Sequence, residues 1–254
     1  MADPVAAATP AIAIRRAVEE GWQAFIRTPV PFVLFTTVLG TANLLCQLAI
    51  RFQQDQLLTP VGQPDAGAQL LLVIAWFCWG LSNLWLAVGL LHGASTALDH
   101  GRPRLRRMLR PDGRAMLRGA GTLGLVLLVL GAIARLAQAS GWLLALIQPL
   151  LSWLPLLAGW AVTVYLATDQ LLCLPISVLG QATPLGAFRE GRRAIDPHWL
   201  QALGLTLVLI LVVLAGFLGL LLGLVVALPV ATCIQTAAYR QLFGIPAQWP
   251  LNSA

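Results

Sequence analysis

Pro29 to Ile50 carries no charged residue and is closed at both ends by arginine, Arg27 and Arg51. Hydrocarbon about 30 Å thick needs roughly 20 apolar residues per helix, so this run predicts a first membrane span. Ala68 to Leu98 is uncharged for 31 residues. That is about 46 Å of helix, enough for a tilted or protruding second span. A third span is predicted over 116–134 and a fourth over 141–168, with kinks at Pro149 and Pro155. Leu200 to Tyr239 is again uncharged. As one helix it would measure about 60 Å, so it must fold back, and Gly216, Gly219 and Gly223 mark the natural turn. Spans five and six are then 199–218 and 223–243. The stretch 170–187, QLLCLPISVLGQATPLGA, is uncharged but broken by Pro175, Gly180 and Pro184. It reads as an extension of span four, an interfacial segment or a re-entrant one.

Polar positions return at helical spacing ahead of the odd-numbered spans. AVEEGWQAF (17–25) and AFREGRRAI (187–195) share A-x-x-E-G-x-x-A followed by an apolar residue. In the first, Ile14, Val18, Trp22 and Phe25 form a stripe, with Arg15/Glu19 and Arg16/Glu20 at i, i+4 on other faces. In the second, Leu185, Phe188 and Ile195 oppose Arg189, Glu190, Arg192 and Arg193. Thr9-Pro10 and Thr183-Pro184 can open these helices, and Thr28-Pro29 and Asp196-Pro197 the spans that follow, as N-cap and N1. Leu105, Met108 and Leu109 give a weaker version ahead of span three. The fold class expected is an all-α membrane protein: six transmembrane helices in three hairpins, with amphipathic interfacial helices before the odd-numbered spans. Residues 1–28 form a cytoplasmic tail and interfacial helix, 29–243 the bundle with basic loops 99–118 and 183–198, and 244–254 a short tail.

Composition agrees. Apolar residues make up 58% and charged residues 10%, against about a quarter charged in soluble domains. All 16 basic residues are arginine, for a net charge of +6. In a soluble chain that excess would suggest nucleic acid; in a membrane chain its location decides. With six spans, fourteen arginines fall on the side of the N-terminus, leaving only Arg51 and Arg135 opposite. The positive-inside rule then puts both termini and the basic loops in the cytoplasm. A seventh crossing through 170–187 would export Arg189, Arg192, Arg193 and Arg240, and is rejected on that ground. Arg102, Arg104, Arg106, Arg107, Arg110, Arg114 and Arg118 first fix orientation, then offer contact to anionic headgroups, about 1 kcal/mol each near the surface. Nucleic acid is not an expected partner. Trp22, Trp142 and Trp199 fall near span ends, whereas Trp76, Trp79, Trp85, Trp153 and Trp160 fall within spans, as packing or lipid-facing residues.

Glu20-Gly21-Trp22 with Phe25, Pro29 and Phe32, and Pro229 followed by Tyr239-Arg240 and Leu242, carry a resemblance. The chain resembles bacterial polytopic inner-membrane proteins of unknown function, relatives of the membrane domain attached to some glycerophosphodiester phosphodiesterases. The resemblance implies a six-span fold with interfacial helices. About ten residues follow the last span, so no phosphodiesterase domain, and none of its activity, is expected here. MADPVAAATPAIAIRR lacks a basic region ahead of its apolar run, so it is expected to stay on the mature protein.

Candidate chemistry is sparse. Cys46, Cys78, Cys173 and Cys233 sit apart in apolar surroundings and read as packing residues. Asp169, after span four, is an interfacial carboxylate or, more sharply, an ion or proton site. His92, in span two, is a hydrogen-bonded packing histidine, with proton relay or pigment ligation as minor readings. His100 neighbours Asp99 but has no partner histidine at ligand spacing. No G-x-S-x-G, H-E-x-x-H or Walker loop occurs, so neither catalytic residues, cofactor nor metal are expected. The small-residue ladders Gly89, Gly93, Ala97 and Gly219, Gly223, Ala227 signal close helix packing, within the bundle or with a partner. The leading expectation is a non-enzymatic accessory, scaffold or assembly subunit with a membrane-protein partner or as a homo-oligomer. The alternative is a small-solute or lipid transporter using the kinked fourth span and Asp169, and a pigment-binding protein is a third reading.

Overall fold

The computed structural model describes residues 12–58, 66–110 and 112–244. Among these, ten α-helices and two 3-10 turns occur and no strand. The helices are α1 (Ile14–Arg27), α2 (Pro29–Leu58), α3 (Ala66–Leu98), α4 (Leu105–Met108), α5 (Gly113–Ala145), α6 (Trp153–Asp169), α7 (Cys173–Val178), α8 (Pro184–Ile195), α9 (Trp199–Leu218) and α10 (Leu220–Phe243). Six segments of the described residues are long and apolar enough to cross a membrane: Pro29–Gln54, Gly67–Leu98, Gly113–Ala145, Pro149–Val178, Pro184–Leu218 and Leu222–Phe243. The chain divides into two compact units, one from the described parts of 1–19, 117–211 and 234–254, the other from 20–116 and 212–233.

In the second unit α2 packs against α3, and α4 packs on both. Phe32 and Phe35 of α2 are fully buried, and Gly89 and Gly93 of α3 lie under their rings. A Cβ on Gly93 would stand 2.9 Å from Phe32 Cε1 and 2.7 Å from Met108 Cε. The ladder Gly89, Gly93, Ala97 therefore receives side chains from α2 and α4. Farther along, Asn43 donates to Ser82 Oγ at 3.2 Å, so the two helices run past each other in opposite directions. At the other end of the unit, a Cβ on Gly216 would collide with Ala227, eleven residues later. A continuous helix would hold those positions about 16 Å apart. The chain has reversed, and the ladder Gly219, Gly223, Ala227 lines that reversal.

In the first unit α5 and α6 meet through small residues. A Cβ on Gly159 would collide with Ala137, and one on Gly141 would lie 3.1 Å from the Ser152 carbonyl. Here the expected boundaries need correction. α5 runs from Gly113 to Ala145, well past 134, because nothing after Arg135 breaks a helix before Pro149. Residues 141–145 end the third long helix and do not open the fourth. Pro149 starts the 3-10 turn Pro149–Ser152, and Pro155 lies in the first turn of α6. A missing N–H is harmless there, because the first helical donors have no acceptor anyway, so neither proline kinks a span. Trp153 likewise opens α6, near a span end and not inside it. Arg51 and Arg135, expected in connecting loops, ride on continuing helices.

Caps follow local chemistry in part. Thr183 accepts from the Gly186 N–H at 3.2 Å, with Pro184 at N1. Thr183→Ala should cost about 1 kcal/mol, seen as a thermal midpoint lower by roughly 2–4 °C in detergent. Asp112, unremarked in the sequence reading, accepts from the Arg114 N–H at 3.1 Å and starts α5. Asp196 does not cap; its carboxylate turns to Tyr165 and Arg192. Thr28 leaves its hydroxyl without a partner, so only Pro29 marks the start of α2. Thr9-Pro10 lies outside the described residues. His100 takes a left-handed backbone (φ 60°) that ends α3, with the Gly101 N–H donating to Thr96 O and the His100 N–H to Ala97 O.

The repeated nonapeptide acquires a physical meaning. Ala17, Gly21, Ala24 and Phe25 are buried in α1, and Ala187, Gly191 and Ile195 at the matching positions of α8. The motif thus encodes a thin face that lets each short helix sit close to its neighbours. Trp22, on the apolar stripe expected to face the membrane surface, is 48% exposed.

Candidate functional site: a buried carboxylate where α6 ends

Helix α6 stops at Asp169, and α7 begins after three intervening residues. Last-turn carbonyls lack intrahelical donors, and the break is closed from the chain itself. Leu171 N–H donates to Thr168 O at 3.1 Å and Cys173 N–H to Gln170 O at 3.0 Å. Gln235 Nε2, from α10, donates to Leu171 O at 2.6 Å. Helix α7 then packs on α8, and Thr168, Asp169, Gln170, Cys173 and Ser177 are all buried.

Asp169 is therefore a fully buried carboxylate. Gln170 Nε2 donates to its Oδ2 at 3.3 Å, while Asp169 Oδ1 and Gln170 Oε1 have no hydrogen-bond partner. Across the seam stands Gly191 of α8. A Cβ there would lie 3.6 Å from Ile176 Cδ1, 3.7 Å from the Asp169 carbonyl oxygen and 3.8 Å from Gln170 Oε1. Arg192, one residue on, pairs with Asp196 (Nε to Oδ2, 3.5 Å). Tyr165 Oη donates to Asp196 Oδ1 at 2.7 Å, and its ring stacks on Trp199 with centroids 5.6 Å apart. The nearest guanidinium thus has its own carboxylate, and Asp169 gains no ion pair.

His92 belongs to the other unit, where Nδ1 meets Val88 O at 3.0 Å on its own helix. Arg102, Arg104, Arg106, Arg107, Arg110 and Arg114 are exposed, with Met108 buried beneath them. Arg118 differs: it is half-buried and donates to Gln181 O at 3.3 Å. Gly89, Gly93 and Ala97, and Gly219, Gly223 and Ala227, occupy the packing positions described above. Among the described residues no three His, Cys, Asp or Glu side chains group as metal ligands. The four cysteines are free thiols, with Cys78 exposed, Cys46 half-buried and Cys173 and Cys233 buried.

Two further glutamines bind distant backbone. Gln201 Oε1 accepts from the Ile12 N–H at 3.1 Å, and Gln241 Oε1 from the Ala13 N–H at 2.9 Å. Like Gln235 at the Leu171 carbonyl, they tie distant backbone through a side-chain amide. Their only sequence signal was an amide within or beside an apolar run. The chain matches no protein-family model, no curated protein and no solved structure.

Proposed function

We propose that this chain is a non-enzymatic inner-membrane subunit, accessory or scaffolding, that works through lipid and protein contacts. One observation carries the reading: within the chain, the spans Gly67–Leu98, Gly113–Ala145 and Pro149–Val178 bury almost nothing of their most apolar stretch. Trp142, Trp153 and Trp160 stand more than 60% exposed. Such faces suit lipid, partner helices or a second copy. The three reversals, α2 to α3, α5 to α6 and α9 to α10, support an arrangement in three hairpins, with α1, α4 and α8 as interfacial helices. Arginine asymmetry supports cytoplasmic termini, and the six exposed arginines of 102–114 support contact with anionic headgroups. The resemblance to phosphodiesterase-linked membrane domains fits this architecture and adds no activity.

Purification in mild detergent, with mass spectrometry of what travels along, tests the proposal. Specific membrane proteins or a second copy, together with anionic lipid, are expected. Changing Arg102, Arg104, Arg106, Arg107, Arg110, Arg114 and Arg118 to glutamine should reduce the anionic lipid at least severalfold. A chain that stays alone under every gentle condition would refute the partner reading.

A second reading, a small-solute or lipid transporter, draws on the unpaired buried oxygen of Asp169. The kink once expected in its fourth span plays no part. Flux into proteoliposomes that is unchanged by Asp169→Asn would remove this residue from any transport mechanism.

A further inference from the structure

Helix α5 carries an open stripe. Gly124, Leu128, Gly131, Arg135, Gln138 and Trp142 recur at three- and four-residue spacing, so they share one face. All six are exposed, while Gly119, Thr122 and Gly141, which the same unit buries, lie off this face. Nothing stands within 4 Å of a Cβ placed on Gly124 or Gly131. Glycine weakens a helix, and within membranes it is favoured where a second helix comes close.

Arg135 sits in the middle of the stripe. Its guanidinium donates to the uncharged Gln138 Oε1 at 3.5 Å, and no carboxylate among the described residues pairs with it. Helix α5 continues for ten residues beyond Arg135, about 15 Å, before the chain turns back into α6. That tip is apolar and open: Trp142, Ile147, Leu150 and Trp153 are each at least 62% exposed. Setting Arg135 at the membrane face leaves the tip in water. Drawing the tip into hydrocarbon takes Arg135 in with it. For the chain alone the first exposes a large apolar patch and the second a guanidinium without a counter-charge.

We propose that this stripe of α5 seats one transmembrane helix of another membrane protein, a helix whose aspartate or glutamate pairs with Arg135. Such a helix covers the apolar tip, fills the hollows at Gly124 and Gly131 and supplies the missing charge. Lipid tails supply no charge, and a two-fold pairing of copies through this face would set Arg135 against Arg135. The inference rests on the partner role proposed above and gives that partner a surface and a chemistry.

The test places the full chain in phosphatidylcholine vesicles with a synthetic leucine–alanine membrane helix bearing a dansyl group and one central glutamate, or glutamine in its place. Energy transfer from tryptophan to dansyl reports association. The glutamate helix should bind at least fivefold more tightly than the glutamine helix. That preference should vanish in Arg135→Gln and persist in Arg51→Gln. Gly131→Leu keeps every charge and adds bulk where the chain itself has no neighbour, so it should weaken the glutamate helix at least threefold with an unchanged monodisperse profile. Equal binding of the two helices to the wild-type chain would overturn the proposal, as would a preference that survives Arg135→Gln or a Gly131→Leu chain that binds as before. Proteins that co-purify undiminished with Arg135→Gln would refute this surface and leave the partner role standing; a wild-type chain that stays alone in mild detergent refutes the role itself.

Discussion

Gly223→Ala should be among the most damaging single-methyl changes in the molecule, lowering stability by about 3 kcal/mol, the upper range for overpacking. The added carbon would collide with the Gly216 carbonyl oxygen and lie 2.9 Å from its carbon and 3.1 Å from its Cα. Backbone cannot rotate aside as a side-chain tip can. Relief requires α9 and α10 to separate at the reversal, where Gly216 already meets Ala227. Gly40→Ala is the matched control, since nothing lies within 4 Å of its Cβ position. That change should be neutral or stabilise by up to about 1 kcal/mol, by helix propensity alone. Thermal unfolding in detergent should separate the two by roughly 6–12 °C. Equal midpoints would show that the two helices do not touch there.

Phe35→Ala should cost about 3 kcal/mol, the low end for deleting a buried phenyl ring. Lipid is itself apolar, so lost packing contacts dominate over transfer from water. The ring is fully buried and fills the place where Gly89 lacks a side chain. The same contact makes Gly89→Ala unfavourable, because its Cβ would stand 2.7 Å from Phe35 Cε1. Here the obstacle is a side chain, so Phe35→Leu should rescue Gly89→Ala in part. A double-mutant cycle read by thermal midpoint should give a coupling of about 1 kcal/mol or more. Strict additivity would mean that α2 and α3 do not meet at these residues.

Charge-free runs were enough to find six apolar segments, since the thickness of hydrocarbon sets the required length. The glycine turn at 216–223 was legible for the same reason: 40 uncharged residues cannot lie straight in a bilayer. Helix ends were less legible. Arg135 reads as the end of a span, but a charge does not break a helix, and α5 continues to Ala145. Proline reads as a kink within a span and as a start within the first turn, and the sequence does not say which register applies. The repeat A-x-x-E-G-x-x-A was visible as letters, but that its small residues Ala17, Gly21 and Ala24, with Phe25, form the face buried within the chain was not.

Asp169 shows the same division at the candidate site. Its rarity among apolar residues marks it in the sequence, because ionisable groups near membrane depth are costly. What surrounds it is set by contacts across long chain separation, Gln235 reaching the Leu171 carbonyl and Gly191 opposite Gln170, while Arg192 is drawn to Asp196 one helical turn away. By itself the sequence determined composition, span count and the asymmetry of arginine, each a property of residues summed along the chain. Only the tertiary structure decided where helices end, which small residues touch, and that Asp169 Oδ1 is buried without a hydrogen-bond partner. Those depend on which atoms from distant segments come within a few ångströms, and one-dimensional spacing does not encode that distance.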